Sequence, residues 1–253
     1  MRLILVALQF LTRVPVRMQA FKPAWLNDCV RHFPLVGVLV GAVGALVLIV
    51  AAQFWPAWVA EVLALSSTIA LTGGFHEDGL ADTFDALGGV VAREKALAIM
   101  KDSRLGSYGA LALGLSLMLR AALLAELAMR PTALAVSALL ASHAFARAAA
   151  VGVMVSLPYG GDVDHAKAKP LALAVPPRNF LIALAWCGLL FGTLAVWAQP
   201  LGPLLLSLVA AAAVAALMRQ WLMRRLGGYT GDGLGATEQL AEIAVLLALT
   251  VSL

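Results

Sequence analysis

The sequence predicts an all-α, polytopic membrane protein, a bundle of about seven transmembrane helices, and three observations predict this fold. Of the 253 residues, 62% are hydrophobic and only 13% are charged, about half the charged share of a typical soluble domain. The mean hydropathy is +0.92. Several segments contain about 18 or more almost uncharged apolar residues, the length that a helix needs to cross the bilayer core. A water-soluble globular protein is therefore excluded.

Seven apolar segments are the predicted spans. They cover residues 35–55, 59–75, 106–128, 132–157, 179–198, 201–221 and 237–253. The earlier apolar run, Met1–Phe10, is too short to cross the bilayer, and basic residues rather than a small-residue cleavage site follow it. We interpret this run as an interfacial or re-entrant segment. Residues 1–253 are thus predicted to form a single integral membrane domain in contact with membrane lipid.

Basic residues mark one side of the membrane, because most of the 18 lysines and arginines precede the first span or fall in alternate loops. By the positive-inside rule, the N-terminus and three loops, about 76–105, 158–178 and 222–236, face the cytoplasm. The expected location is the cytoplasmic (inner) membrane. The net charge of +4 is then a topology signal. Because no aromatic residues alternate with the basic ones, no nucleic-acid partner is predicted.

An acidic segment at the start of the loop 76–105 is the first candidate site. If the second half of Gly73–Asp85 is helical, Asp78, Asp82 and Asp85 lie on one face, where like charges repel unless a cation neutralises them. Carboxylate oxygens without cysteine suit Mg²⁺ or Mn²⁺ rather than zinc. A solvated acidic loop is the alternative. We favour the metal site because the first basic residue after the cluster is Arg93.

A second, glycine-rich segment, Gly227–Thr237, aligns with the acidic segment at one constant shift. Identical residues pair as Gly73, Gly74, Asp78, Gly79, Leu80 and Thr83 with Gly227, Gly228, Asp232, Gly233, Leu234 and Thr237. Two similar acidic turns on one side of the membrane are what a site between weak parallel repeats requires. Chance similarity is the alternative. Because Ala236 and Gln239 replace Asp82 and Asp85 in the second copy, the first copy is expected to carry the metal.

Two segments have the composition of a phosphate-binding site. Glycines let a backbone approach a phosphate closely, and Lys101–Gly109 supplies cations and hydroxyls suited to a pyrophosphate. A simple positive-inside anchor is the alternative for the second segment. The candidate substrate-binding residues are Gly228, Tyr229, Thr230, Gly231, Asp102 and Ser107, and the candidate phosphate-binding cations are Lys101 and Arg104.

Arg147 interrupts an otherwise apolar span, at a cost of roughly 3 kcal/mol on insertion scales. We therefore expect it to pair with an acidic site residue or a ligand phosphate. Arg120 is similar, but Glu126 is available within the same span. His76 is a candidate base or metal ligand, with a simple hydrogen-bonding role as the alternative. The other histidines, His32, His143 and His165, receive no role.

With these residues in place, the sequence resembles the cobalamin synthase family, the adenosylcobinamide-GDP ribazoletransferases. The resemblance extends nearly end to end and is carried by residues 10–16, 33–37, 73–85, 101–109, 147, 157–159 and 227–236. It implies a membrane enzyme that uses Mg²⁺ to join adenosylcobinamide-GDP and α-ribazole, or its 5′-phosphate, with release of GMP, the last step of cobalamin biosynthesis. Gly233 departs from the family, which commonly has a larger apolar residue there.

The resemblance also implies roles for the candidate residues. Asp78, Asp82 and Asp85 hold one or two Mg²⁺, with Glu77 at or behind the metal and Asp232 contributing from the second segment. Lys101, Arg104 and Arg147 stabilise the phosphoryl charges, and the base is Asp85, Asp82 or His76, with an aspartate preferred. The alternatives are a membrane CDP-alcohol-type phosphotransferase and a cation transporter that uses the acidic cluster. Oligomerisation is left open.

Overall fold

The structure, a computed structural model, describes residues 1–17, 22, 24–161, 175–198 and 200–251. These residues form eleven α-helices, and the β-structure among them is limited to one isolated bridge. The all-α prediction is confirmed. The helices are α1 (Arg2–Leu11), α2 (Ala24–Cys29), α3 (Phe33–Ala51), α4 (Ala57–Thr72), α5 (Phe75–Leu87), α6 (Arg93–Met100), α7 (Ser107–Ala128), α8 (Thr132–Ser156), α9 (Pro177–Trp197), α10 (Leu201–Leu226) and α11 (Gly231–Thr250).

Six of the described helices are long and apolar enough to cross a membrane: α7 to α11 and the nearly continuous α2–α3 stretch, Ala24–Ala51. α4 and α5 meet the same criterion only as a pair, and they are bent by 87° at their junction. If this pair counts as one span, the total is seven, which agrees with the predicted number. The Met1–Phe10 segment forms most of the short apolar helix α1.

Two glycines cause the bend between α4 and α5. Gly73 (φ 75°) and Gly74 (φ 71°) both adopt the left-handed conformation, which side chains with a Cβ rarely adopt. The N–H of Gly73 donates to the carbonyl of Ile69 at 2.7 Å and closes α4. The bend returns the acidic segment to the bundle as α5. The predicted loop 76–105 is therefore largely helical, because α5 and α6 occupy most of it.

The second glycine-rich segment has a similar local structure. Gly227 (φ 74°) ends α10 in the left-handed conformation, and only residues 227–230 separate α10 from α11, so the predicted loop 222–236 is short. α11 then packs directly against α5. A methyl group added to Gly79 would lie 2.9 Å from the carbonyl oxygen of Asp232. The two segments that align in sequence are therefore in backbone contact.

α8 and α11 are the inner helices of the bundle. About 83% and 72% of the residues in their apolar windows are buried, against 22% in α7, 17% in α9 and 28% in α10. α3 approaches α8 through Gly37 and Gly41, where added methyl groups would overlap the carbonyls of His143 and Leu139. Small residues of this kind allow close helix packing in membranes. Arg147 of α8 and Glu238 and Glu242 of α11 therefore lie in the protein interior.

The predicted loop 158–178 is described only in part. α8 ends at Ser156, and Tyr159 forms the isolated parallel bridge with Tyr229. Residues 162–174, which include His165 and the loop lysines Lys167 and Lys169, lie outside the described residues.

Candidate active site

A cavity of about 300 Å³ lies between α5, α8 and α11 and is bordered by α1 and the end of α6. Its charged lining residues are Asp78, Asp82, Lys101, Arg147, Asp232 and Glu238. The structure thus brings together carboxylates of the acidic segment and of the glycine-rich segment with two cations. His76 lines the same cavity.

Aromatic residues form the apolar part of the cavity wall. Phe10 of α1 stacks on Phe33, with ring centroids 5.9 Å apart, and meets Phe75 edge-on at 5.7 Å. Tyr159 and Tyr229 also meet edge-on, at 5.6 Å. All five rings line the cavity. The site therefore combines a charged region with surfaces that suit planar or apolar parts of a ligand.

The turn before α11 is held in place by backbone hydrogen bonds. The N–H of Tyr229 donates to the carbonyl of Pro158 at 2.9 Å, and the N–H of Gly160 donates to the carbonyl of Tyr229 at 2.8 Å. Burial raises the pKa of Tyr229 to about 12, so its phenol is neutral at physiological pH. Tyr229, like Thr230 and Gly231, lines the cavity.

Thr230 caps the N-terminus of α11. Its hydroxyl accepts a hydrogen bond from the N–H of Gly233 at 3.0 Å. The positive end of the α11 dipole and the N–H groups of its first turn therefore lie at the cavity, an arrangement that favours phosphate. Gly228 does not line the cavity, and a side chain there would overlap the carbonyl of Pro158.

Arg147 of α8 forms a buried ion pair with Glu238 of α11. Its Nη1 lies 2.7 Å from Glu238 Oε1, and the side chains are 2% and 1% exposed. The same nitrogen donates to the carbonyl of His143 at 2.9 Å, and Gln239 Nε2 donates to Glu238 Oε2 at 2.9 Å. The expectation that an acidic residue compensates Arg147 agrees with this geometry.

Arg120 of α7 joins a second set of acids behind the cavity. Its Nη1 lies 3.1 Å from Glu77 Oε1, and its Nη2 lies 2.6 Å from Glu242 Oε1. The partner suggested from sequence, Glu126, was wrong, since Glu126 pairs with Arg130 at 3.4 Å. Glu77 therefore neutralises a buried arginine and does not line the cavity.

His143 completes this buried network. Its Nδ1 lies 3.1 Å from Glu242 Oε2, and within the described parts of the chain the ligand atoms of His143, Glu238 and Glu242 lie within 4.8 Å of one another. Both glutamates are paired with arginines, which a cation there would have to displace. We interpret the cluster as an ion-pair network. The aspartates Asp78, Asp82 and Asp232 share the cavity but are not gathered as closely.

Besides Glu77 and Gly228, four further predicted site residues lie away from the cavity. Asp85 accepts hydrogen bonds from the N–H groups of Gly106 and Gly109 at 2.7 and 2.8 Å, which caps the N-terminus of α7. Asp102 and Arg104 pair with each other at the surface, and the Arg104 hydrogen bonds lower the pKa of Asp102 to about 2. Ser107 is exposed at the first turn of α7. The structure does not bring these four side chains to the cavity.

The buried partners on α11 were not predicted from the sequence. Glu238 and Glu242 stand four residues apart in the last predicted span, and His143 received no role. A charged residue inside an apolar span needs a partner, and this rule led to the prediction for Arg147. The same rule, applied to the last predicted span, would have identified Glu238 and Glu242.

The chain matches the family model described as cobalamin-5-phosphate synthase over residues 3–250. It is 51% identical, over 97% of its length, to the adenosylcobinamide-GDP ribazoletransferase of Leptothrix cholodnii, and the match covers 94% of that relative. Relatives of the same name from Shewanella amazonensis and Albidiferax ferrireducens are each 42% identical, over 98% of this chain and 95% and 97% of their own lengths. No solved structure matches the chain.

Proposed function

Because the chain belongs to the cobalamin-5-phosphate synthase family and is a transferase, we propose that it joins adenosylcobinamide-GDP to α-ribazole or its 5′-phosphate. A ribose hydroxyl of the acceptor loses its proton and forms a new P–O bond to the phosphorus on the cobinamide side. The bond from that phosphorus to the bridging oxygen breaks, and GMP leaves. The observation that carries the proposal is one cavity lined by carboxylates, cations and a helix N-terminus.

The cations and the α11 N-terminus would bind the pyrophosphate. Arg147 and Lys101 line the cavity, and positive groups fixed there offset the charge that moves onto the leaving phosphate. The Glu238 carboxylate holds the Arg147 guanidinium in position at 2.7 Å. Arg104 is 87% exposed, so we leave it out of this role.

The carboxylates suit Mg²⁺. Asp78, Asp82 and Asp232 present hard oxygen ligands to one cavity that contains no cysteine among its lining residues. Mg²⁺ usually takes only one or two carboxylates together with substrate phosphates and waters, so a metal held by one or two of these aspartates would be completed by the substrate. When bound, the metal would neutralise the non-bridging oxygens of the pyrophosphate.

The proton of the attacking hydroxyl needs an acceptor. Of the three candidates from sequence, Asp82 and His76 line the cavity, whereas Asp85 is hydrogen-bonded to the start of α7. We propose Asp82, because the His76 side chain is buried and its Nδ1 lies 3.9 Å from Glu238 Oε2, beside the ion-pair network. The cavity is further proposed to open to the cytoplasm from the inner membrane, in agreement with the basic loops at that end of the spans.

The cation transporter is the strongest alternative from another class. Glu238 and Glu242 lie inside a span, where a transporter would carry acids. Both glutamates are already paired with arginines in the interior. Such pairing favours a structural network behind an active site over an ion pathway.

The test is GMP release by purified protein in detergent, given adenosylcobinamide-GDP, α-ribazole and Mg²⁺. We expect GMP and a cobalamin product in equal amounts, with loss of both in EDTA and in Asp82→Ala. Glu94→Ala, an exposed acid on α6 outside the cavity, is the matched control and should retain activity. A folded wild-type protein that releases no GMP would contradict the proposal. The same assay with α-ribazole 5′-phosphate in place of α-ribazole identifies the preferred acceptor.

A further inference from the structure

A second cavity, of about 350 Å³, lies between α8, α9 and α10. Its wall on α10 is a stripe of small and apolar residues that ends at a basic one. The stripe consists of Leu208, Ala211, Ala212, Ala215, Ala216 and Arg219. The opposite walls come from the second half of α8 and the first half of α9, including Phe145, Ser156 and Phe180. We call this cavity the α10 groove.

Among the described residues, Arg219 is the only cation in the lining of the α10 groove. Its side chain is exposed, and among the residues that the structure describes it has no hydrogen-bond or ion-pair partner. This separates it from Arg120 and Arg147, each of which has a carboxylate, and from Arg225, which donates to the carbonyls of Leu87 and Gly89. An arginine within a spanning helix needs a counter-charge.

The groove has the length of one lipid leaflet. From Leu208 to Arg219 the helical rise of 1.5 Å per residue gives about 16 Å, and the hydrocarbon core of a bilayer is about 30 Å thick. Arg219 therefore stands about one leaflet away from the far end of the groove. The Arg219 end is also the active-site end, because α10 leads from there to Tyr229.

From this geometry we infer that the α10 groove binds one acyl chain of an anionic phospholipid, whose phosphate pairs with Arg219. The small side chains leave room for the chain, and the guanidinium supplies donors in the fork that matches a phosphate. The lining residues of the α10 groove are different from those of the active-site cavity, although α8 borders both, so this inference stands or falls independently of the proposed function.

Native mass spectrometry of the detergent-purified full chain, titrated with phosphatidylglycerol or phosphatidylcholine, tests the inference. We expect one tightly held phosphatidylglycerol per chain and roughly tenfold weaker binding of phosphatidylcholine, because both lipids carry the phosphate but the choline cation of phosphatidylcholine repels the Arg219 guanidinium; this factor corresponds to about 1.4 kcal/mol. Arg219→Ala should remove this preference. Arg224→Ala, an exposed arginine of the same helix outside the groove, should keep it.

A second pair of variants tests the apolar part of the site. Ala212→Trp would fill the groove and should abolish the tightly held lipid, whereas Ala213→Trp, an exposed neighbour outside the lining, should not. Equal binding of the two lipids by the wild type would overturn the inference. So would an unchanged preference in Arg219→Ala, or a dimer of the wild type that Ala212→Trp dissociates, because a second chain would then occupy the groove.

Discussion

Gly79 of α5 and Gly235 of α11 face each other so closely that a methyl group added to Gly235 would lie 3.3 Å from the Cα of Gly79. This contact fixes the separation of the two helices that carry the cavity aspartates. The distance between Asp78 and Asp82 on one side and Asp232 on the other therefore depends on residues without side chains.

The first prediction concerns this contact. Gly79→Ala places a methyl group 2.9 Å from the carbonyl oxygen of Asp232, so the helices must separate, at a cost of about 1–3 kcal/mol in unfolding free energy. We expect a lower melting temperature in detergent and a large loss of GMP release. Gly114→Ala, in α7 where nothing lies within 4 Å, should be neutral or slightly stabilising. Equal behaviour of the two variants would refute the packing argument.

The second prediction concerns the buried pair of Arg147 and Glu238. Glu238→Gln leaves the guanidinium without its carboxylate, and loss of one partner from a buried pair costs about 3–5 kcal/mol. We expect a marked drop in thermal stability. The double variant with Arg147→Met should recover part of that stability but lose most of the activity, because the cavity then keeps only one of its two cations, Lys101. If the double variant is no more stable than Glu238→Gln, the two residues are not coupled.

The third prediction separates two roles for Asp85. The Asp85 carboxylate accepts hydrogen bonds from the N–H groups of Gly106 and Gly109. Asp85→Ala should therefore lower the unfolding free energy by about 0.5–2 kcal/mol, the usual cost of a lost helix cap. Asp85→Asn keeps one accepting oxygen and should retain most of the activity, with an unchanged Mg²⁺ dependence. A stable but inactive Asp85→Asn enzyme would instead assign Asp85 to the metal or the base.

The fourth prediction concerns the metal. Asp232→Asn removes a cavity carboxylate and should raise the Mg²⁺ concentration that gives half-maximal GMP release by tenfold or more. Glu77→Gln should leave that concentration unchanged and lower the melting temperature, because Glu77 pairs with Arg120 at 3.1 Å. An equal shift of the Mg²⁺ dependence in both variants would contradict the assignment of Asp232, rather than Glu77, to the metal.

The fifth prediction concerns the surface pair of Asp102 and Arg104. Exposed ion pairs contribute little to stability, so Asp102→Ala and Arg104→Ala should melt close to the wild type. Because neither side chain lines the cavity, the KM for adenosylcobinamide-GDP should also be unchanged. A raised KM in Arg104→Ala with normal stability would restore the substrate-binding role that the sequence suggested.

Features that depend on neighbouring residues in the chain could be predicted from the sequence. Long apolar segments identify the spans, and the two Gly-Gly pairs mark the turns before α5 and α11. The placement of Asp78, Asp82 and Asp232 in one cavity followed from the similarity of the two segments. These predictions succeed because hydrophobic length and glycine conformation act within a few residues of the chain.

Ion pairs and hydrogen bonds between residues on different helices could not be predicted from the sequence. Nothing near Arg120 indicates that its partners are Glu77 and Glu242 on other helices, and the nearer Glu126 is the more obvious choice. Asp85 fits the spacing of the acidic face, yet the start of α7 lies close enough to use its carboxylate as a cap. Such choices depend on which helices are neighbours, and helix periodicity does not determine that.

The buried network also sets an order for assembly during synthesis. Arg120 and Arg147 lie on helices that leave the ribosome before α11, so both enter the membrane before Glu238 and Glu242 exist. Until α11 arrives, Arg147 lacks Glu238 and Arg120 has only Glu77 of α5, so part of the insertion cost of roughly 3 kcal/mol per arginine is uncompensated. Docking of α11 adds Glu238 and Glu242 to the network and completes the cavity in one step, so a nascent chain becomes stable and competent at the same moment.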